Sequence, residues 1–254
     1  MQRQRRRRAR WPWLALPAAA ALLFLLFWRL SVPVTGPEPP FRPAPRHRPV
    51  IDAGHGGLDG GSVMESGVRE ADLNLRVAVK TDLLMRFMGV PTVMLRRKDI
   101  ALNDASAAGS IREIKRSDLI NRVKRTEAVP DALLISIHQN YFTESQYFGL
   151  QTFYGKAHGS RALAEIIQES ATQRLDTANT RQSQPVNGDI YLMANVRCPA
   201  VLVECGFLSH PGEAKKLQSD DYQTKLAALL TAAFLNWEND GASDGGPAEG
   251  DQIQ

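Results

Sequence analysis

Val50-Ile51-Asp52-Ala53-Gly54-His55-Gly56-Gly57 is the stretch on which the reading of this chain turns. Val50 and Ile51 suit a buried strand, and Asp52 ends the apolar run. Three glycines within four positions then surround a single histidine. Glycine lets the backbone turn tightly and approach a ligand closely, so a histidine placed there is offered to something rather than packed away. Two more short apolar runs end alike: residues 133–137 stop at His138, and residues 201–203 stop at Glu204. Ligands of open α/β sheets sit outside the carboxyl ends of the strands. Three strands that each deliver a polar side chain at that end predict one shared site.

Outward from this stretch, strands and helices alternate. Glu70 opens a helix with Leu73, Val77, Leu84 and Phe87 at helical spacing, and Gly89 stops it. Residues 91–95 read as a strand, 98–110 as a loop, and 115–129 as a basic amphipathic helix leading to the His138 strand. Residues 149–154 form a fourth strand. A helix over 160–175 turns Leu163, Ile166 and Ile167 inward. A polar loop then crosses to residues 190–193 and the Glu204 strand. Pro211 starts a short helix, and residues 222–237 form the closing one. Strands separated by helices predict an α/β fold with a largely parallel sheet.

The formal charge of +4 belongs to the N-terminus. Residues 1–49 hold ten Lys/Arg and one Glu, and residues 240–254 hold four acids and no base. The domain between them is close to neutral, so nucleic-acid binding by a basic face has no support. Cys198 and Cys205 flank a strand and lie about 20 Å apart in extended chain, too far for a disulfide. Cys205 follows Glu204 directly, and neighbours on a strand face opposite ways, so it is read as a buried small residue rather than a ligand.

Residues 1–10 are a basic cytoplasmic segment. The uncharged run 11–28 is about 27 Å long as a helix, and Leu30 and Val32 extend it to a transmembrane anchor over 11–32 that spans roughly 30 Å of hydrocarbon. Arginines before the run place the N-terminus in the cytoplasm and the catalytic domain outside it. A cleaved signal peptide is the rival, but no small-x-small site follows closely. Residues 33–49 contain seven prolines and make a stiff spacer. Residues 50–239 form the domain, and 240–254 a disordered acidic tail.

His55 and His138 are donors for a catalytic zinc, which takes three protein ligands and keeps an open position. The third ligand would be a carboxylate or another histidine: Glu70, fifteen residues after His55 at a helix start, is a candidate, with Asp59 and Glu65 as competitors on the loop between. Glu204 is then free to act as general base on the attacking water. Arg96 at a strand end, and Asn140 beside His138, are the candidates for contacting substrate. His47, His158 and His210 are read as solvent-facing. The charge run Lys115, Arg116, Arg122, Lys124 and Arg125 is read as a solvated helix face. Walker, nucleophile-elbow and His-Glu-x-x-His motifs are absent.

Residues 51–57, Ser66-Gly67-Val68-Arg69-Glu70, Ser136-Ile137-His138-Gln139-Asn140 and Val203-Glu204-Cys205-Gly206-Phe207-Leu208-Ser209 together resemble the zinc-dependent N-acetylmuramoyl-L-alanine amidases of the amidase type 3 family. The resemblance runs from about residue 50 to 237. It implies that His55, Glu70 and His138 ligate one zinc ion and that Glu204 is the catalytic carboxylate. It also implies a mixed α/β sheet sandwiched by helices, related to zinc exopeptidases. The substrate would be peptidoglycan, cut between N-acetylmuramic acid and the L-alanine of the stem peptide. Residues 149–154, Asn179-Thr180-Arg181, residues 186–192 and the anchor are most similar to the spore-cortex, CwlD-type subgroup, which strips stem peptides on the way to muramic-δ-lactam. That subgroup implies a membrane-tethered enzyme facing the forespore intermembrane space. Gln139 and Tyr141 around Asn140, His210 after Ser209, and Thr126-Glu127 depart from the usual pattern, which leaves substrate preference open. The segment between His138 and Glu204 has no room for a blocking helix, so control would come from a protein activator or from timing of expression. A zinc exopeptidase with the same ligands, and a non-catalytic cell-wall binding protein, are the competing functions. A binder would need no general base at Glu204.

Overall fold

The computed structural model describes residues 45–107 and 110–240. The anchor expected at 11–32, most of the proline-rich spacer, and the acidic tail beyond 240 lie outside the described residues. Among the described residues, no helix is long and apolar enough to cross a membrane.

In chain order the elements are β1 (Arg48–Ala53), α1 (Glu70–Phe87), β2 (Val93–Met94), α2 (Ile111–Glu127), β3 (Ala132–Asn140), β4 (Gln151–Tyr154), α3 (Ser160–Arg174), β5 (Gln184–Pro185), α4 (Tyr191–Asn195), β6 (Ala200–Phe207), α5 (Pro211–Gln218) and α6 (Asp220–Asn239). The six strands form one sheet in the order β2-β1-β3-β6-β4-β5. β2, β1, β3 and β6 run parallel, and β4 is antiparallel to β6. The sheet is therefore mixed and largely parallel, as the alternation of elements predicted.

Strand alternation divides the core in two. Ile51, Ala53, Ile135, Ile137, Val201, Val203 and Cys205 face α1, α3 and α6, whose Leu73, Val77, Leu163, Ile167, Leu226 and Phe234 complete the larger cluster. Val50, Leu134 and Leu202 face the other way, toward Leu119 and Val123 of α2 and Leu192 and Met193 of α4. Cys205 is fully buried in the first cluster, away from the face that carries Glu204.

Several elements differ from the sequence expectation for identifiable reasons. α2 starts four residues early because Ser110 and Glu113 form a reciprocal capping box. Residues 191–195 form a short helix. In α1 the buried stripe is Leu73, Asn74, Val77, Ala78, Thr81, Asp82 and Met85. Phe87 falls off it and is 84% exposed.

The largest departure is in the charge run read as a solvated helix face. Arg122 is 2% exposed. Its guanidinium pairs with Asp52 and with Asp118, and donates to the carbonyls of Ala53 (2.9 Å) and His55 (2.6 Å). Asp52 also accepts from Ser136 Oγ at 2.7 Å, its register partner on β3. Arg96, expected to contact substrate, is corrected by the same logic. It is 2% exposed, and it donates to the carbonyls of Ala53 (2.8 Å), Gly54 (2.9 Å), Ala71 (2.8 Å) and Lys98 (3.1 Å). A guanidinium has five donors and no acceptor, so this set leaves it little to offer a substrate.

Replacing Arg122 by Met takes the guanidinium from the buried Asp52 carboxylate and from the His55 carbonyl, while Ser136 and Arg96 still serve Asp52 and the Ala53 carbonyl. The expected cost is about 3–5 kcal/mol, read from denaturant unfolding, against less than about 0.5 kcal/mol for Arg116→Met on the exposed face of the same helix. Burial alone would raise the Asp52 carboxyl, but Arg122, His138 and Ser136 outweigh it and hold it below its ordinary 3.8. A depressed folded-state pKa stabilises above the unfolded value and is lost as pH falls through the folded one. Unfolding titrations should therefore show the difference between wild type and Asp52→Asn shrinking below about pH 4.

Candidate active site

β1 ends at Ala53, and the backbone leaves the sheet through Gly54 into a left-handed His55 (φ 61°). A non-glycine residue there costs on the order of 1–3 kcal/mol, offset here by Arg122 holding the His55 carbonyl. The imidazole is fixed from both ends: Nδ1 lies 2.8 Å from Asp59 Oδ2, and Nε2 lies 3.1 Å from Glu70 Oε1. Glu70 opens α1 and is 3% exposed. Its Oε1 also meets His138 Nδ1 at 3.0 Å, and its Oε2 accepts from the Ser62 amide at 3.0 Å. His138 stands near the end of β3, its ring centroid 5.0 Å from that of His55 and nearly perpendicular to it.

His55, Glu70 and His138 thus each turn one ligand atom to a common point, all within 4.8 Å of one another. Two glycines make room for this. A Cβ on Gly54 would stand 2.2 Å from the His138 ring, and one on Gly61 2.6 Å from Glu70 Oε2 and 2.7 Å from His55 Cδ2. Glu204 sits beside His138 in the parallel register of β3 and β6, on the same sheet face. It lines the cleft shared by His55, His138, Asp52 and Ser136, which encloses about 310 Å³.

The electrostatics favour a cation. Burial opposes protonation of His55, yet hydrogen bonds to Asp59 and Glu70 lift it to about 9. Glu70 is held far below the usual carboxylate range, because the two imidazoles outweigh its burial. Burial pushes Glu204 up to about 7, with Glu70 adding to the rise and His138 opposing it. Glu204 Oε2 is buried with no hydrogen-bond partner among the described residues. Two imidazoles that can give up a proton to a metal, one ionised carboxylate and a second carboxyl with an unpaired oxygen are the donor set of a catalytic metal site with an adjacent base. The residues present therefore fit a divalent metal.

Of the other residues singled out in the sequence, Asn140 lines, with Gln139 and Tyr141, a second open cleft that shares His55, Glu70, His138 and Glu204. Asp59 contacts His55 rather than the common point. Glu65 is exposed, as is His158. His210 caps α5 by accepting from the Glu213 amide at 3.2 Å, and His47 pairs with Glu238 at 2.7 Å. Lys115 was not anticipated: it leaves α2 to pair with Asp59 Oδ1 at 2.8 Å. The i, i+4 spacing of His55 and Asp59 could have pointed to their contact. Nothing local pointed to Lys115.

The comparisons with known proteins agree with this geometry. A family model described as N-acetylmuramoyl-L-alanine amidase matches residues 50–236. The chain belongs to the N-acetylmuramoyl-L-alanine amidase family. It is 36% identical over 188 residues to the germination-specific N-acetylmuramoyl-L-alanine amidase of Bacillus subtilis, covering 74% of this chain and 78% of that one. The CwlD amidase of Clostridioides difficile, solved in complex with the GerS lipoprotein, superposes with a TM-score of 0.73 at 33% identity, covering 76% of this chain and 99% of that one. The catalytic domain of CwlV from Bacillus (Paenibacillus) polymyxa gives a TM-score of 0.63 at 27% identity, covering 76% and 98%. The chain is accordingly a peptidoglycan amidase.

Two substitutions test how this amidase builds its site. Asp59→Asn keeps shape but loses the anionic hold on His55 Nδ1, and should weaken divalent-metal affinity about 10–100-fold in a chelator competition. Gly54→Ala should displace the His138 ring and abolish stoichiometric metal content, measured by elemental analysis of the folded protein.

Proposed function

We propose that this amidase is zinc-dependent and that its residues divide the work as three ligands and one base. His55, Glu70 and His138 would hold the ion, and Glu204 would be the catalytic carboxylate. The observation that carries this is the meeting of two imidazoles on one buried carboxylate, with Glu204 on the neighbouring strand. When bound, the ion would supply Lewis acidity to the scissile carbonyl and acidify the attacking water. Glu204 takes the proton from that water as it adds to the lactyl carbonyl carbon. The same carboxyl then gives the proton to the alanine nitrogen as the C–N bond breaks, leaving a muramyl carboxylate and a peptide with a free amine. Asp59 orients His55, and the Glu204 pocket excludes other hydrogen-bond partners that would hold the carboxylate out of play. Asn140, in the adjoining open cleft that shares the site residues, is the substrate-contacting residue in this reading.

The resemblance to the germination-specific amidase and to CwlD supports a role in spore cortex, with residues 11–32 anchoring the domain outside the cytoplasm. The complex of CwlD with a lipoprotein supports a protein partner for this chain as well.

In a dye-release assay on peptidoglycan, chelator should abolish activity and added zinc restore it. Glu204→Gln should retain metal yet lose at least about 10²-fold in turnover, with mass spectrometry identifying peptides bearing a free N-terminal alanine as the wild-type product. Release of single amino acids from peptides, with muropeptides left intact, would replace the amidase assignment with the exopeptidase one. Since the base must be ionised, and a bound cation lowers a neighbouring carboxyl's pKa, activity should fall on the acid side at a pH no higher than about 7.

A further inference from the structure

The catalytic cleft does not end at Lys115. Lys115 and Leu119 line both the cleft and a second, open groove of about 460 Å³ between α2 and α4, whose other walls are Ile111, Arg112, Arg116 and Tyr191. The acids along this path are already engaged. Asp59 is held by His55 and Lys115, and Asp118 by Arg122 and the Leu102 amide. Glu113 is turned back to cap its own helix. Arg112 and Arg116 are exposed and have no ion-pair partner among the described residues. Between them lie two exposed apolar side chains, Ile111 (62%) and Tyr191 (41%). An apolar floor with unpaired cations at its rim, continuous with a reaction site, is complementary to an extended anionic chain.

The position of Glu204 says which part of the substrate that is. It faces the α2/α4 side of the sheet, and the group that protonates the leaving nitrogen must stand on the leaving group's side. Resting on the amidase reading above, we propose that the α2/α4 groove is the subsite for the departing stem peptide, with Arg112 and Arg116 recognising its free carboxylates. The groove then selects peptides by charge: free carboxylates are bound and amidated ones are passed over.

The test uses the purified full-length protein and two muropeptide substrates that differ only in whether the stem-peptide carboxylates are free or amidated. For wild type the ratio of kcat/KM, free over amidated, should exceed one, and in the double variant Arg112→Glu/Arg116→Glu it should fall about tenfold. Lys124→Glu/Arg125→Glu, the same charge change on the same helix outside the groove, should leave the ratio in place. In a Glu204→Gln background, an acidic tetrapeptide with an N-terminal alanine should bind about tenfold more weakly to the groove variant, and salt should erase the difference. An unchanged ratio and unchanged peptide binding would overturn the groove assignment, as would an equal fall in the control variant. Wild type that cleaves neither muropeptide overturns the amidase reading instead, and the two failures are told apart by that single measurement.

Discussion

Two buried guanidiniums hold the backbone on which the site is built. Where β1 leaves the sheet, the carbonyls of residues 53, 54 and 55 lose their strand partners. Buried carbonyls without partners are costly. Arg122 takes those of Ala53 and His55, and Arg96 those of Ala53 and Gly54. The turn they clamp carries a histidine in a left-handed conformation, which no local sequence preference would maintain. The two arginines disfavour one another: burial first, and then the nearby Arg122 charge, lower the Arg96 pKa. Asp52 and Asp118 make the arrangement tolerable, and with them the direction of the His55 ring is set by the core rather than by the loop.

From that clamp the division of chemistry follows by strand geometry. On parallel neighbours β3 and β6, His138 and Glu204 are side by side and project to one face, as do Ser136 and Leu202 two pairs earlier. Gln139 and Cys205 project to the other. A ligand and a base can thus be neighbours without a loop to hold either of them. Glu70 reaches the same point from a helix N-terminus, where a carboxylate is favoured. The site therefore draws its members from a turn, a helix and two strands, all anchored in packed elements.

This explains which parts were legible in the sequence. His55, His138 and Glu204 each end a short apolar run, a local pattern, and period-two alternation was enough to send Cys205 into the core. The parallel order followed from strands separated by helices. Arg96 and Arg122 could not be read correctly, because the β1 groups that draw them into the core, the Ala53 carbonyl and the Asp52 carboxylate, lie 43 and 70 positions away in sequence. A basic run looks the same whether one of its members faces water or the core. Phe87 was misplaced for another reason: the buried stripe of α1 is continued by Asn74, Thr81 and Asp82, so following apolar residues alone led onto the solvent face.

Asp59 shows how geometry resolves an ambiguity that spacing leaves open. On the loop after His55 it competes with Glu70 for the place of third ligand. In the fold, one of its oxygens is committed to His55 Nδ1, and the other is shared by Lys115 and the Gly61 amide. The Lys115 pair is half-exposed and worth little as stability. Its consequence is positional: a carboxylate held from both sides cannot swing round to compete with Glu70, and it fixes which ring nitrogen of His55 is left to face the cleft. The same lysine stands where the cleft opens into the α2/α4 groove, so the contact that keeps Asp59 out of the ligand set also ties the reaction site to the surface beyond it.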